Sequence, residues 1–413
     1  MHSRDVRILA LLFASAFLVY IDRANLSVGA TNIMRDLHLS PYMIGILLSA
    51  FFWTYASCQL LGIAGWAADR FNVCWVLAGG FTLWSVATAC AGMARSFAFL
   101  FAMRLMLGLG ESVAYPCYSR ILANYFPEHR RGFANATIEA GTKAGPALGA
   151  LVGGLLMARF GWRPFFIVLG FGTLAWLIPW FLWMPRGQGL SVRQDPSEVP
   201  GIREILRHRS AIFSAIGLFC SNYFWFFLLT WIPAYLETER RFAKDKMAVF
   251  ASLAFFAVAV SATFHGWLSD HLIARGGSPT RVRKSFAGLG LLFSTIILPV
   301  AVVRNESIAM VLLLLTCWGY GIFGSNLWAI TQTLAGPRAA GKWTSMQNGF
   351  GTLSGVVAPW FTGWVVQRTG EFYLAFVVAA AIALAGSAAY VVGIGPIEQV
   401  TFRMKQAQPA SAD

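Results

Sequence analysis

The chain has 413 residues, of which 57% are hydrophobic and only 12% are charged, whereas a soluble domain carries roughly 25% charged residues. This composition excludes a soluble globular protein and indicates a membrane protein with many spans. The net charge of +14 is also a level found in nucleic-acid-binding proteins. Here, however, the basic residues lie on short loops beside apolar segments, which is the pattern of a membrane protein, and we expect no nucleic acid as a partner.

Apolar runs of about the 20 residues that a membrane-spanning helix needs recur along the chain. They are continuous and rich in Leu, Ala, Phe and Gly, which favours helices over the alternating strands of a barrel. The predicted segments are 7–29, 43–67, 73–93, 97–123, 133–158, 163–184, 211–236, 246–269, 285–303, 308–334, 343–367 and 371–394. We therefore predict an all-α polytopic membrane protein with twelve transmembrane helices.

The longest polar connection divides the predicted helices six and six. Its Pro, Gly and charged residues are typical of a solvated linker. The predicted domains are a six-helix bundle at 1–184, a cytoplasmic linker at 185–210, a second six-helix bundle at 211–395 and a disordered cytoplasmic tail at 396–413.

A short motif recurs after the second helix of each half: "GWAADRF" begins at Gly65 and "GWLSDHL" begins at Gly266. Parallel repeats of six helices are the organisation of one large class of transporters, in which two similar bundles rock about a site between them. We expect the repeated motif to take part in gating, through the residues Gly65, Asp69, Arg70, Gly266 and Asp270.

The orientation follows from the distribution of Lys and Arg between the loops. If the N-terminus is cytoplasmic, 18 of the 32 basic residues fall on inside loops and 10 on outside loops. We therefore predict a multi-pass protein of the cell inner membrane with both termini in the cytoplasm.

Away from their ends, the predicted helices carry charged side chains in the first half, and the second half has Asp270 at a helix end. The charged residues of the first half are Asp22, Arg23, Arg104, Glu111, Glu139 and Lys143. Each costs about 2.5 to 3.5 kcal/mol at the centre of a membrane helix, so each is a candidate functional residue. Adjacent residues point about 100° apart around a helix, so Asp22 and Arg23 need different partners. Arg104 and Glu111 lie on one face of the fourth helix but are separated by about 10.5 Å along its axis. We expect the first and fourth helices to face each other.

Several motifs resemble those of one transporter family: the 6+6 layout, "GWAADRF" and "PEHRRG" are similar to the major facilitator superfamily. More narrowly, "YIDRANLSVG", "RLMLGLGESVAYP", "SNLW" and "MQNGFG" resemble its anion:cation symporter branch, which includes bacterial sugar-acid permeases. The resemblance implies the major facilitator fold, with helices one, four, seven and ten lining the cavity. It also implies substrate-binding roles for the matching positions Tyr20, Tyr55, Ser325, Trp328 and Asn348.

These residues predict a proton-coupled symporter that imports a small organic anion, a hexonate, hexuronate or aldarate, by alternating access. Arg23 offers a bidentate fork for a carboxylate. Glu111 and Asp22, with Arg104 beside them, would take up protons, because burial and a nearby like charge disfavour a charged carboxylate. A static ion-pair network is the alternative for this set.

Glu139 and Lys143 lie four residues apart on the fifth helix, a spacing that permits an ion pair. Two interpretations stay open: a structural pair, or a substrate site in which Lys143 is a second anchor for a dicarboxylate. In the second half the polar residues at membrane depth are uncharged, and Asn222 and Tyr223 join the predicted substrate site, since amides, hydroxyls and rings suit a polyol chain. Packing against lipid is the alternative for most of the rings in 222–227.

Other classes of protein find little support. The six His residues show no metal-ligand spacing, and no phosphate-binding loop is present, so we expect no metal, no cofactor and no enzyme. The Gly145–Gly149 segment resembles a motif of proton-coupled drug antiporters, which leaves export of an organic anion or an amphiphile as the alternative function. The expected partners are a small organic anion, protons and the lipid bilayer, for a monomeric protein.

Overall fold

The structure is a computed structural model, and it describes residues 3–126, 128–184 and 200–402, with the side chains of 69, 123, 128–133, 136, 337 and 338 left out. Most of the predicted linker and the end of the predicted tail therefore lie outside the described residues. All regular secondary structure of the described chain is helical, and the helices cross the molecule twelve times.

We number these passes span 1 to span 12. Spans 1 to 6 are Ser3–Val28; Pro41–Leu60 with Ile63–Arg70; Val73–Ala91; Phe97–Ser112 with Ala114–Tyr125; Glu128–Phe160; and Trp162–Thr173 with Leu177–Trp183. Spans 7 to 9 are Arg209–Thr238, Lys244–Ala274, and Pro279–Ser294 with Ile297–Val302. Span 10 is Glu306–Gly324 with the first part of Leu327–Thr352, span 11 is the rest of that helix with Ser354–Thr369, and span 12 is Tyr373–Ala388. The backbone reverses between spans 10 and 11 at Gly336, whose φ of 64° is non-helical.

Nine helical segments of the described chain are long and apolar enough to cross a membrane. The three passes outside this set are spans 1, 5 and 11. Spans 1 and 5 carry four of the ionisable residues noted above. The passes with the weakest apolar character therefore include the two that carry most of these ionisable residues.

Spans 1 and 5 pack with their backbones nearly touching. A Cβ atom on Gly145 would lie 2.7 Å from the Tyr20 Cβ and 2.8 Å from the Phe17 carbonyl oxygen. Gly141 and Gly149 meet span 1 in the same way, one turn to either side. Small residues four apart permit such an approach, and it fixes Tyr20 and the residues that follow it against span 5.

A similar seam joins the two halves along spans 2 and 11. A Cβ on Gly45 would lie 2.7 Å from the Pro359 carbonyl oxygen and 3.2 Å from the Gly363 Cα. Spans 5 and 8 approach as closely at Gly154, where a Cβ would meet the Ala248 methyl group. Each half therefore supplies small residues to the interface between the halves.

Hydrogen bonds between the halves, as far as the described residues show them, all lie at one end of the bundle. Thr31 donates to Glu237 at 2.5 Å and accepts from Lys244 at 3.5 Å, while the Tyr42 amide donates to Gln367 at 3.1 Å. We call this the closed end. The repeated motifs at Gly65 and Gly266 lie at the opposite ends of spans 2 and 8, which we call the motif end. The two halves are thus joined by hydrogen bonds at one side of the membrane-spanning region.

Candidate substrate and proton site

Arg23 and Glu111 form a buried ion pair between spans 1 and 4. The Arg23 Nε donates to the Glu111 Oε2 at 2.8 Å, with 7% and 0% of the side chains exposed. Hydrogen bonds between charged groups are about twice as strong as neutral ones. The pair fixes the guanidinium and brings together two residues that are 88 positions apart in the chain.

Three aromatic rings surround the same guanidinium. The Arg23 Cζ lies 4.6 Å from the ring centroid of Tyr20 and 4.9 Å from those of both Phe51 and Tyr55. Such cation–π contacts hold the group in place and partly replace its hydration. Within the described chain, neither terminal nitrogen of Arg23 makes a hydrogen bond to protein, so the fork remains available to an anion.

Asp22 faces away from its neighbour, toward Thr88 of span 3, and interacts electrostatically with Glu111 and Arg104. Arg104 donates from Nε to the Leu47 carbonyl oxygen at 3.3 Å. Among the described residues, the buried oxygens Asp22 Oδ2 and Glu111 Oε1 have no hydrogen-bond partner. An unpaired buried carboxylate oxygen is costly, and protonation removes its charge. We call Asp22, Arg23, Arg104 and Glu111 the charge cluster.

Glu139 and Lys143 make no ion pair with each other in the described structure. Glu139 Oε2 accepts a hydrogen bond from Thr142 on its own helix at 3.3 Å. The Lys143 Nζ lies 5.9 Å from the Trp225 ring centroid on span 7, across the interface between the halves. The structure therefore does not contain the direct ion pair between Glu139 and Lys143 that was one of the two interpretations of this spacing.

Among the described residues, the polar residues predicted in the second half make no hydrogen bond to the charge cluster. Ser325 donates to the Ile322 carbonyl oxygen at 2.7 Å and accepts from Asn326 at 2.9 Å. Tyr223 is buried at 2% exposure. Asn222, Trp328 and Asn348 are half-buried. The Ser325 hydroxyl is therefore occupied by local bonds in this state of the protein.

The repeated motif lies at the motif end of spans 2 and 8. A Cβ on Gly65 would meet nothing within 4 Å, and one on Gly266 would lie 3.7 Å from the Ser325 Cβ. Arg70 and Asp270 are exposed. The side chain of Asp69 lies outside the described residues, so the gating role of this motif stays a prediction.

The sequence reasoning missed several aromatic residues and one threonine of this region. The Tyr115 hydroxyl lies 3.5 Å from that of Tyr20, and Trp225 stacks on Tyr320 with centroids 5.6 Å apart and planes at 8°. Tyr115 follows Glu111 by four residues, a spacing that shares one helix face and was a usable signal. No such signal was available for Phe51 and Thr88, because a single ring or hydroxyl in an apolar run is most often a packing residue.

Two helical halves with a charge cluster at membrane depth define a secondary transporter. Residues 12–359 match the family model described as Major Facilitator Superfamily, and the chain belongs to that family. The predicted fold class, an all-α polytopic membrane protein of the major facilitator type, is thereby confirmed.

Relatives of the chain are named as transporters. It is 31% identical over 399 residues to the probable sulfoacetate transporter SauU of Cupriavidus necator, covering 92% of each chain. It is 30% identical over 417 residues to the D-galactonate transporter of Escherichia coli O6:H1, covering 95% of this chain and 96% of that protein. A crystal structure of a bacterial homolog of the human lysosomal transporter Spinster shares the fold, with a TM-score of 0.82 at 18% identity over 95% of this chain and 97% of that one. The protein is therefore a multi-pass membrane transporter and not an enzyme.

Proposed function

We propose that the protein is a proton-coupled symporter that imports a sugar acid by alternating access of the bundles 1–184 and 211–395. The observation that carries the proposal is the Arg23 guanidinium, which is paired through Nε with Glu111 and has its terminal nitrogens available. A carboxylate fits such a fork in a bidentate manner. A relative named for D-galactonate supports a sugar acid as the substrate.

Proton coupling follows from competition for Arg23. While Glu111 is charged, it neutralises the guanidinium and weakens the site for a second anion. A proton on Glu111 removes this competition, and a proton on Asp22 lowers the negative potential around it, because Asp22 and Glu111 interact as like charges. Proton and substrate therefore favour each other's binding, and this coupling is reciprocal.

The remaining parts of the proposal concern placement in the cell. The excess of basic residues on one set of loops supports an orientation with both termini in the cytoplasm, in the inner membrane of a bacterium. The motif end then faces the cytoplasm. The protein acts as a monomer, since the substrate site lies between the halves of a single chain.

Transport by Glu111→Gln in proteoliposomes tests the proposal. Exchange of sugar acid across the membrane should persist, whereas accumulation driven by an imposed pH gradient should be lost, because the variant has no proton to exchange at this position. Glu371→Gln is the matched control, since Glu371 is an exposed acid at the closed end, and it should accumulate substrate like the wild type. Intact accumulation by Glu111→Gln would contradict the coupling role. Accumulation against the proton gradient would instead indicate export, the antiporter alternative.

A further inference from the structure

Lys143 is a cation at membrane depth without an anionic partner among the described residues. The ammonium group lies over the ring of Trp225, and the nearby Glu139 carboxylate takes its hydrogen bond from Thr142. A charged amine within a membrane helix is costly unless it is paired. The position therefore favours an anion that arrives from outside the protein.

Lys143 and Arg23 both lie against aromatic rings. The Arg23 guanidinium lies over the ring of Tyr20 on span 1. Tyr320 stacks on Trp225, which carries Lys143 on its face. Lys143 of the first half is thus in contact with an aromatic stack of the second half.

The backbone positions of Lys143 and Arg23 lie at different depths along spans 5 and 1. Gly145 packs against Tyr20 and Gly149 against Ile21, so spans 1 and 5 run in parallel with a fixed register. This register sets Lys143 level with residues 15–18 of span 1, about six residues before Arg23. At 1.5 Å per residue the two backbones differ in depth by about 10 Å. We therefore expect the two cations to bind separate anionic groups, such as the two ends of a short diacid.

We propose that Lys143 binds a second anionic group of the substrate, so that the transported molecule is a dianion such as an aldarate rather than a monoanionic aldonate. This inference rests on the proposed function, in which Arg23 binds the first carboxylate. The names of the relatives leave the charge of the substrate open, because sulfoacetate carries two anionic groups and D-galactonate carries one. The difference is set by Lys143 in this chain.

Galactarate and galactonate are matched probes, because they differ only in the oxidation state of the last carbon. Counterflow in proteoliposomes measures the affinity for each, for the wild type, for Lys143→Gln and for Lys143→Arg. We expect the wild type to prefer galactarate by tenfold or more. Lys143→Gln should weaken galactarate by about tenfold to a hundredfold, the range for a lost charge-assisted hydrogen bond, and should leave galactonate unchanged. Lys143→Arg should keep the preference.

Lys246→Gln is the matched control, because Lys246 is a partly exposed lysine paired with Glu306 at the closed end, and it should keep the wild-type preference. Equal affinity of the wild type for both acids would overturn the dianion and leave the sugar-acid proposal standing. A Lys143→Gln variant that loses both acids to the same degree would show a general role for the residue and overturn the inference too. If the wild type exchanges neither acid, the proposed function itself fails, and the dianion fails with it.

Discussion

Thr31 should control how readily the closed end opens. Its hydroxyl reaches from the first half to the Glu237–Lys244 pair of the second half, donating to Glu237 at 2.5 Å and accepting from Lys244 at 3.5 Å. Thr31→Val has nearly the same shape but no hydroxyl. It removes both bonds in the closed form, whereas in the opened form all these groups reach water. The substitution should therefore favour opening of this end.

The size of the effect follows from the bonds that are lost. A hydrogen bond to a charged group contributes about 1.5 to 3 kcal/mol. Glu237 keeps Lys244 at 3.6 Å, but its Oε1 is buried and already has no partner among the described residues. Since 1.4 kcal/mol is a factor of about ten, we expect Thr31→Val to raise the ratio of opened to closed protein by about 10- to 100-fold. Thr31→Ser should stay near the wild type, because it keeps the hydroxyl.

Double electron–electron resonance measures this ratio directly. Spin labels at Arg95→Cys and Arg304→Cys report the separation of the halves, because both residues are exposed in loops at the closed end. The six native cysteines are replaced first. Thr31→Val should add a population at longer distance that Thr31→Ser lacks. Identical distance distributions for the two variants would refute the role of the hydroxyl.

Two further substitutions test the site and the interface. Arg23→Lys keeps the charge but loses the planar fork of the guanidinium, so substrate affinity measured by counterflow should fall by tenfold or more. The ion pair with Glu111 should preserve the fold of this variant. An affinity equal to that of the wild type would argue against Arg23 as the anion site. Gly45→Val should lower the melting temperature in detergent by the equivalent of about 1 to 3 kcal/mol, the usual cost of overpacking, because its Cβ would lie 2.7 Å from the Pro359 carbonyl oxygen. Gly79→Val is the control, since its Cβ would meet nothing within 4 Å, and equal melting of the two variants would disprove the close approach.

The helical passes were predictable because each leaves a continuous apolar run in the sequence. Their ends were not, because a helix continues beyond the apolar stretch as long as its backbone hydrogen bonds do. The seventh predicted segment ends at residue 236, one residue before Glu237, whereas the helix runs to Thr238. The polar contacts that join the halves at the closed end could therefore not be predicted from the apolar runs.

Some features of the site could likewise be predicted from the sequence, whereas others could not. The divergence of Asp22 and Arg23 around their helix could be worked out from helical geometry, and the structure gives them different partners. The contact of Lys143 could not, because the i,i+4 spacing indicates Glu139, whereas the Lys143 ammonium lies over the ring of Trp225 in the other half. Nor could Phe51 be chosen among the 34 Phe residues of the chain, since its role depends on where the Arg23 guanidinium lies.

The bond between Arg23 and Glu111 also affects how much accumulated substrate leaks back across the membrane without a proton. With Glu111 charged, the unloaded protein holds an internally neutral pair, so its passage between the two states needs neither substrate nor proton. If a substrate carboxylate bound without a proton, it would compete with the charged Glu111 for the Arg23 guanidinium, and that form would cross slowly. The same 2.8 Å contact would therefore limit leakage of accumulated substrate while the unloaded protein still returns for the next cycle.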